Sequence, residues 1–119
     1  MKQHLQLVSA TVEPKATVTF RMTVAPEFCS RMGNMHGGAI SLVFDMCTTM
    51  CVAPVSRKDF WWFGGVSRTL NMTFVRAVKE GSEIEIFCEL LHIGTRLGEI
   101  IPRNYFQHSF TKLVYMCLF

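Results

Sequence analysis

The sequence predicts an α+β domain in which an antiparallel sheet lies against a single helix, and three patterns carry that prediction. Apolar and polar residues alternate over Ala16 to Val24 and again over Glu83 to Leu90, the period of a half-buried strand. The stretch Ile40 to Cys51 follows helical spacing instead. Period-two segments stand on both sides of that helix, so the strands must form one sheet with the helix laid across it. With 119 residues, residues 1–119 make one domain and leave no room for a second.

Taken in order, Leu5 to Val12 is the hairpin partner of the next strand, closed by Glu13-Pro14-Lys15. From Ala16 to Val24, Ala16, Val18, Phe20, Met22 and Val24 face inward, while Thr17, Thr19, Arg21 and Thr23 face out. Ile40, Val43, Phe44, Cys47, Met50 and Cys51 line one helical face. That helix opens at Gly37-Gly38 and stops before Pro54, whose ring bars its predecessor from helical conformation. An aromatic loop with Phe60, Trp61, Trp62 and Phe63 follows, read as core or, together with Met46 and Met50, as the lining of an apolar tunnel. Alternation returns from Val66 to Phe74, placing Ser67, Thr69, Asn71 and Thr73 on one face. Lys79 to Ser82 is a turn, and Ile84, Ile86, Cys88 and Leu90 face inward on the strand after it. In the tail, Ile100-Ile101-Pro102-Arg103-Asn104 interrupts an expected strand. The apolar run Leu113 to Phe119 either forms a last strand or stays an aggregation-prone edge.

Half of the residues are hydrophobic and 18% are charged, which excludes a disordered chain and leaves an apolar surplus suited to a partner surface, above all a second copy. The net charge of +3 is scattered, so nucleic acid is not an expected partner, whereas a phosphorylated small molecule is compatible. Five cysteines without a C-x-x-C pair imply neither a zinc ribbon nor a disulfide framework, and fit a reducing compartment. Cys47 and Cys51, spaced i,i+4, read as apolar packing rather than metal ligands. No apolar run approaches the ~20 residues of a membrane span, and no signal-peptide core follows Met1. The expected location is cytoplasmic or mitochondrial, with a targeting segment upstream left open.

The chemistry concentrates at Gly33-Asn34-Met35-His36-Gly37-Gly38, just before the helix. Glycines there allow a ligand near the main chain, and the unpaired first-turn N–H groups can hold a carbonyl oxygen as it becomes an oxyanion. A tight helix start would use the same glycines. Asp45, beside Phe44 on a helix facing a core, calls for a partner or a role. At ~1.5 Å rise per residue it lies roughly 12 Å along the axis from Gly37, too far for both to reach one reacting carbon. Two antiparallel copies of the helix about a two-fold axis would set Gly37 of one against Asp45 of the other.

The stretch Asn34 to Asp45 with its H-G-G at His36-Gly37-Gly38, followed by Gly65-Val66-Ser67 and the strand to Phe74, resembles the hotdog-fold acyl-CoA thioesterases of the PaaI-like and thioesterase-superfamily-member-2 type. The resemblance covers about Leu5 to Arg96. It implies a sheet wrapped around one long central helix, a homodimer with a continuous sheet that is often paired into a homotetramer, and hydrolysis of acyl-coenzyme A without a cofactor. It implies that the Gly37 amide polarises the thioester carbonyl, that Asp45 of the other chain activates water or attacks, and that Ser67 orients the water. Ser30, standing where the family has Asn, together with Asn34, His36, Gly38 and Arg68, is placed at the substrate, His36 as a shaper of the helix start. Arg57, Lys58, Arg68, Arg76 and Lys79 are candidates for the coenzyme phosphates or plain solvated cations. A hydratase of the same fold would place a His beside the Asp, where this chain has Met46. A non-catalytic acyl-thioester binder is the alternative, favoured by Ser30 and the tail and opposed by Gly37, Asp45 and Ser67.

Overall fold

The computed structural model describes residues 4–62, 65–72, 74, 76–94, 96–104 and 112–117. Six strands, β1 (Gln6–Thr11), β2 (Thr17–Thr23), β3 (Val66–Met72), β4 (Glu83–Ile93), β5 (Leu97–Asn104) and β6 (Lys112–Cys117), form one sheet around a single helix, α1 (Gly37–Met50). Every pairing is antiparallel, and the strand order is β1-β2-β4-β5-β6-β3.

The alternation in β2 and β4 sets the core. Val18 pairs with Cys88, Phe20 with Ile86 and Met22 with Ile84, and all six side chains are buried on the face that meets α1. Helix α1 answers with Ile40, Val43, Phe44 and Cys47, followed by Cys51 at its C-cap, so the two periodicities meet along one apolar seam. Burial pushes the Cys51 thiol up to about 12, which keeps it protonated and apolar. Gly37–Val55 is long and apolar enough to cross a membrane on length and composition. In the fold, however, α1 ends at Met50, a single 3-10 turn takes over at Ala53–Val55, and the apolar stripe is spent on the sheet.

Two sequence expectations change. The aromatic loop divides: Trp61 is 1% exposed, adopts φ 55°, and its indole N–H donates to the Gly94 carbonyl at 2.8 Å, whereas Trp62 is 59% exposed. Phe60 packs against the core from the edge, and Phe63 lies outside the described residues. In the tail, the strand expected to break at Ile100 to Asn104 instead continues through it, Cys88 pairing with Pro102 and Ile86 with Asn104. The ladder to β6 ends at Ile100 and Val114. Beyond that point β5 is bonded on its β4 flank alone among the described residues, an edge position in which a proline is tolerated. Residues 113–117 of the apolar run fall in β6, paired with β3 throughout and with β5 from Val114 to Cys117, so over that stretch the run is internal and not a bare edge; Leu118 and Phe119 lie outside the described residues.

This placement is testable at one position. Val114 pairs with Ile100 on β5 and with Leu70 on β3. Val114→Pro would remove a ladder hydrogen bond inside the sheet and should lower stability by about 1–3 kcal/mol. The expected outcome in thermal unfolding is loss of the cooperative transition or a clear drop in its midpoint; an unchanged midpoint would mean that β6 does not occupy the interior of the sheet.

Candidate active site

The loop before α1 is held by backbone bonds, so the helix start is fixed in place. Ser30 N–H donates to the Asn34 carbonyl at 2.8 Å and Gly33 N–H to Ser30 at 3.0 Å, with Gly33 at φ 74° allowing the turn. Met35 N–H reaches Val78 and His36 N–H reaches Phe28, both at 2.7 Å. His36 then caps the helix: its Nδ1 accepts from the Gly38 N–H at 3.0 Å, and its carbonyl accepts from Ile40 at 3.0 Å. A Cβ on Gly38 would sit 3.2 Å from that Nδ1, so a side chain there would crowd the cap by a few tenths of an ångström. His36 shapes the helix start, as the resemblance implied. Among the described residues the Gly37 N–H meets no protein acceptor. It opens into a groove of about 310 Å³ lined by Asn34, Gly37, Ile40, Phe74 and Arg76.

Two turns further along, the half-buried Asp45 accepts a hydrogen bond through Oδ1 from the Ser67 hydroxyl of β3. The Thr49 hydroxyl donates to the Asp45 main-chain carbonyl at 2.9 Å, and the Thr48 hydroxyl lies between the Phe44 and Asp45 carbonyls, at 2.9 and 3.0 Å, so both threonines tie that turn of helix down. Ser67 reaches Asp45 because β3 carries a bulge. Ser67 pairs with Met116 and Thr69 with Tyr115, which leaves Arg68 as the extra residue. The bulge reverses the alternation. Leu70 and Met72 join Ser67 on the helix side and pack on the core, while Thr69 and Asn71 are exposed. The expectation that Ser67, Thr69 and Asn71 share one face is therefore corrected; Thr73 lies outside the described residues. A hydroxyl has one proton, and that of Ser67 goes to Asp45, so toward a water Ser67 can act only as an acceptor.

The remaining predicted residues spread out. Ser30 is exposed and its Oγ accepts from the Met32 N–H at 3.3 Å, inside the turn and outside the groove; the groove's amide side chain is that of Asn34. Arg68 is exposed at the bulge. Arg76 lines the groove, and the Arg57 guanidinium lies 5.2 Å from the centre of the Phe60 ring. Met50 borders a separate apolar cavity of about 300 Å³ with Leu7, Val18 and Phe20. Five residues of helix put Met50 roughly 140° around α1 from Asp45, so that cavity does not open beside the carboxylate. Phe74 and the two threonines escaped the sequence reading. A threonine pair three and four residues after an acidic helical residue is a local signal that could have been read; the contact of Phe74 with Gly37 is tertiary and leaves none.

The described site thus combines an open amide at a capped helix start with a carboxylate held by a serine from a bulged strand, on a sheet wrapped around one helix as in the hotdog fold. Residues 32–100 match the sequence model of the thioesterase superfamily, and the chain belongs to that superfamily. It is 29% identical over 96 residues to acyl-coenzyme A thioesterase 13 of Mus musculus, a match covering 81% of this chain and 64% of that relative's length. Its fold superposes on zebra fish thioesterase superfamily member 2 with a TM-score of 0.83 and 25% identity, over 98% of this chain and 82% of that one. A hypothetical thioesterase from Streptococcus pneumoniae TIGR4, solved with coenzyme A, gives a TM-score of 0.80 at 16% identity, over 98% and 87%.

The cap itself can be weighed. His36→Ala should cost about 1 kcal/mol in chemical denaturation, with much of that recovered by His36→Asn, whose side chain also accepts from the second helical amide. Equal losses in both variants would show that the imidazole contributes through packing and not through its hydrogen bond to Gly38.

Proposed function

We propose that the chain hydrolyses acyl-coenzyme A thioesters as a homodimer, with each site built from Gly37 of one copy and Asp45 and Ser67 of the other. The observation that carries the reading is the Ser67–Asp45 hydrogen bond on the same helix as the open Gly37 amide. The roughly 12 Å of helix between Gly37 and Asp45 keeps one copy from bringing both to one carbon. Strand β3 closes one end of the sheet order, with Val66 on it and Leu42 on α1 both exposed. Joining two copies along β3 would cover that edge and lay the helices antiparallel.

In this arrangement the thioester carbonyl accepts from the Gly37 N–H, which carries the positive end of the helix dipole. Ser67 holds Oδ1 of Asp45, leaving Oδ2 to take a proton from water as its oxygen attacks the carbonyl carbon. The tetrahedral oxyanion rests on Gly37. Its collapse breaks the C–S bond, and the coenzyme thiolate leaves and takes up a proton. Direct attack by Oδ2 would pass through an anhydride and give the same products. Arg76 at the groove suits a phosphorylated substrate. The intact Asp45–Ser67 pair speaks against a binder that has lost its chemistry.

Two variants isolate the two halves of the site. Asp45→Asn should lower kcat by about 10² or more with little change in KM, since the amide keeps shape but accepts no proton. Gly37→Pro should abolish the open N–H, putting a ring carbon in its place. The position is the first of the helix, where proline is tolerated, and His36 at φ −65° and ψ 138° has the conformation that precedes a proline. Each variant alone should be nearly inactive. Mixed one to one and allowed to exchange, they should recover about a quarter of wild-type activity, because half of the dimers are mixed and each of those has one intact site of two. No recovery after proven exchange would place Gly37 and Asp45 in the same chain's site and overturn the reading.

A further inference from the structure

We propose that Phe74 is the residue that sets acyl specificity at this site, by excluding substrates branched at the carbon next to the thioester carbonyl. The inference rests on the thioester reading of the Gly37 groove and adds a role for a side chain that the fold uses only in part. In a helix the Cα–Cβ direction tilts toward the N-terminus, the direction in which the first-turn N–H groups also point. A Cβ built on Gly37 would lie 3.7 Å from Cζ and 3.8 Å from Cε1 of Phe74. The ring edge therefore lies at van der Waals distance from the point that a Gly37 Cβ would occupy, beside the open amide. Phe74 is nonetheless 51% exposed, so half of its surface remains for a ligand.

The consequence follows from the geometry of a carbonyl held there. An oxygen about 2.9 Å from the Gly37 nitrogen brings the carbonyl carbon and its two substituents, the sulfur and the acyl α-carbon, close to that ring edge. Ile40, 5% exposed, closes the apolar side of the groove, while Asn34 and Arg76 supply its polar side. The α-carbon belongs on the apolar side, against Phe74 and Ile40, and the sulfur with its phosphorylated arm on the side of Arg76. A methylene at the α-position fits against an aromatic edge; a methyl branch there needs room that the ring occupies. One extra methyl group in a tight apolar pocket is typically worth 10- to 200-fold in kcat/KM.

The test compares octanoyl-CoA with 2-methyloctanoyl-CoA. Wild type should prefer the unbranched ester at least tenfold in kcat/KM. Phe74→Ala should bring that ratio to within about threefold of one, by raising kcat/KM for the branched ester, and Phe74→Tyr should keep the wild-type ratio. A merely structural role would lower both esters together. Binding of the dethia ketone analogues of both acyl groups, in which a methylene replaces the sulfur, supplies a readout independent of turnover. Discrimination that depends on Phe74 in binding without any hydrolysis would support the proposal and remove the hydrolase reading. Hydrolysis with a ratio unchanged in Phe74→Ala would overturn the proposal and leave the hydrolase standing, and absence of both binding and turnover would overturn the two together.

Discussion

A carboxylate on a helix that packs against a sheet has to be compensated from the sheet, because half-burial removes much of its water. In this chain the compensation comes from the Ser67 hydroxyl, and most of the architecture around β3 follows from bringing that hydroxyl to Asp45. In strict alternation a Ser67 facing the helix would send Leu70 and Met72 outward. The extra residue at Arg68 lets Ser67 face the carboxylate and still returns Leu70 and Met72 to the core. Arg68 itself faces solvent, so one local irregularity serves the polar pair and the apolar packing at once.

The helix start solves a different problem. Its amides must be capped for the helix to begin, yet a reacting carbonyl needs at least one left open. His36 takes the amide of Gly38 and leaves that of Gly37, which separates the structural donor from the available one by a single residue. The cap depends in turn on the backbone bonds from Met35 to Val78 and from His36 to Phe28, which anchor the loop to two other parts of the chain. A flexible loop at this point would let the amide wander, and positioning to a fraction of an ångström is what such an amide contributes.

Legibility in the sequence tracked how local each cause was. The inward residues of β2 and β4 and the apolar stripe of α1 could be read because each periodicity is written within one segment and meets one core. Gly37, His36 and Asp45 stood out as candidates because a glycine pair before an apolar helix, and a carboxylate within it, are out of place in a plain core; the bond from Gly38 to the His36 ring is visible only in the structure. The face of Thr69 and Asn71 was misread because no residue type announces the bulge at Arg68. The continuity of β5 through Pro102 was missed because it depends on where the β6 ladder stops, a fact about a strand elsewhere in the chain. Trp61 could have been core or tunnel until its indole found the Gly94 carbonyl, a partner far along the sequence.

One geometric fact then links stability to function. Gly37 and Asp45 stand on a single continuous helix, and a rigid helix fixes their separation at roughly 12 Å regardless of side-chain rotamers. In the proposed dimer each copy therefore supplies two half-sites, and among the described residues β3 ends the sheet as an edge. An exposed strand edge invites pairing with another chain, which natural sheets suppress with charge, bulges or cover. Here the edge carries a bulge at Arg68 but also exposed Val66, so it is disrupted locally without being blocked. In the proposed dimer that edge is the joint: the contact that covers it is also the one that brings the second half of each site. Folding and assembly would then depend on the same strand, and a substitution that loosened β3 would remove Ser67 from Asp45 and the partner from both.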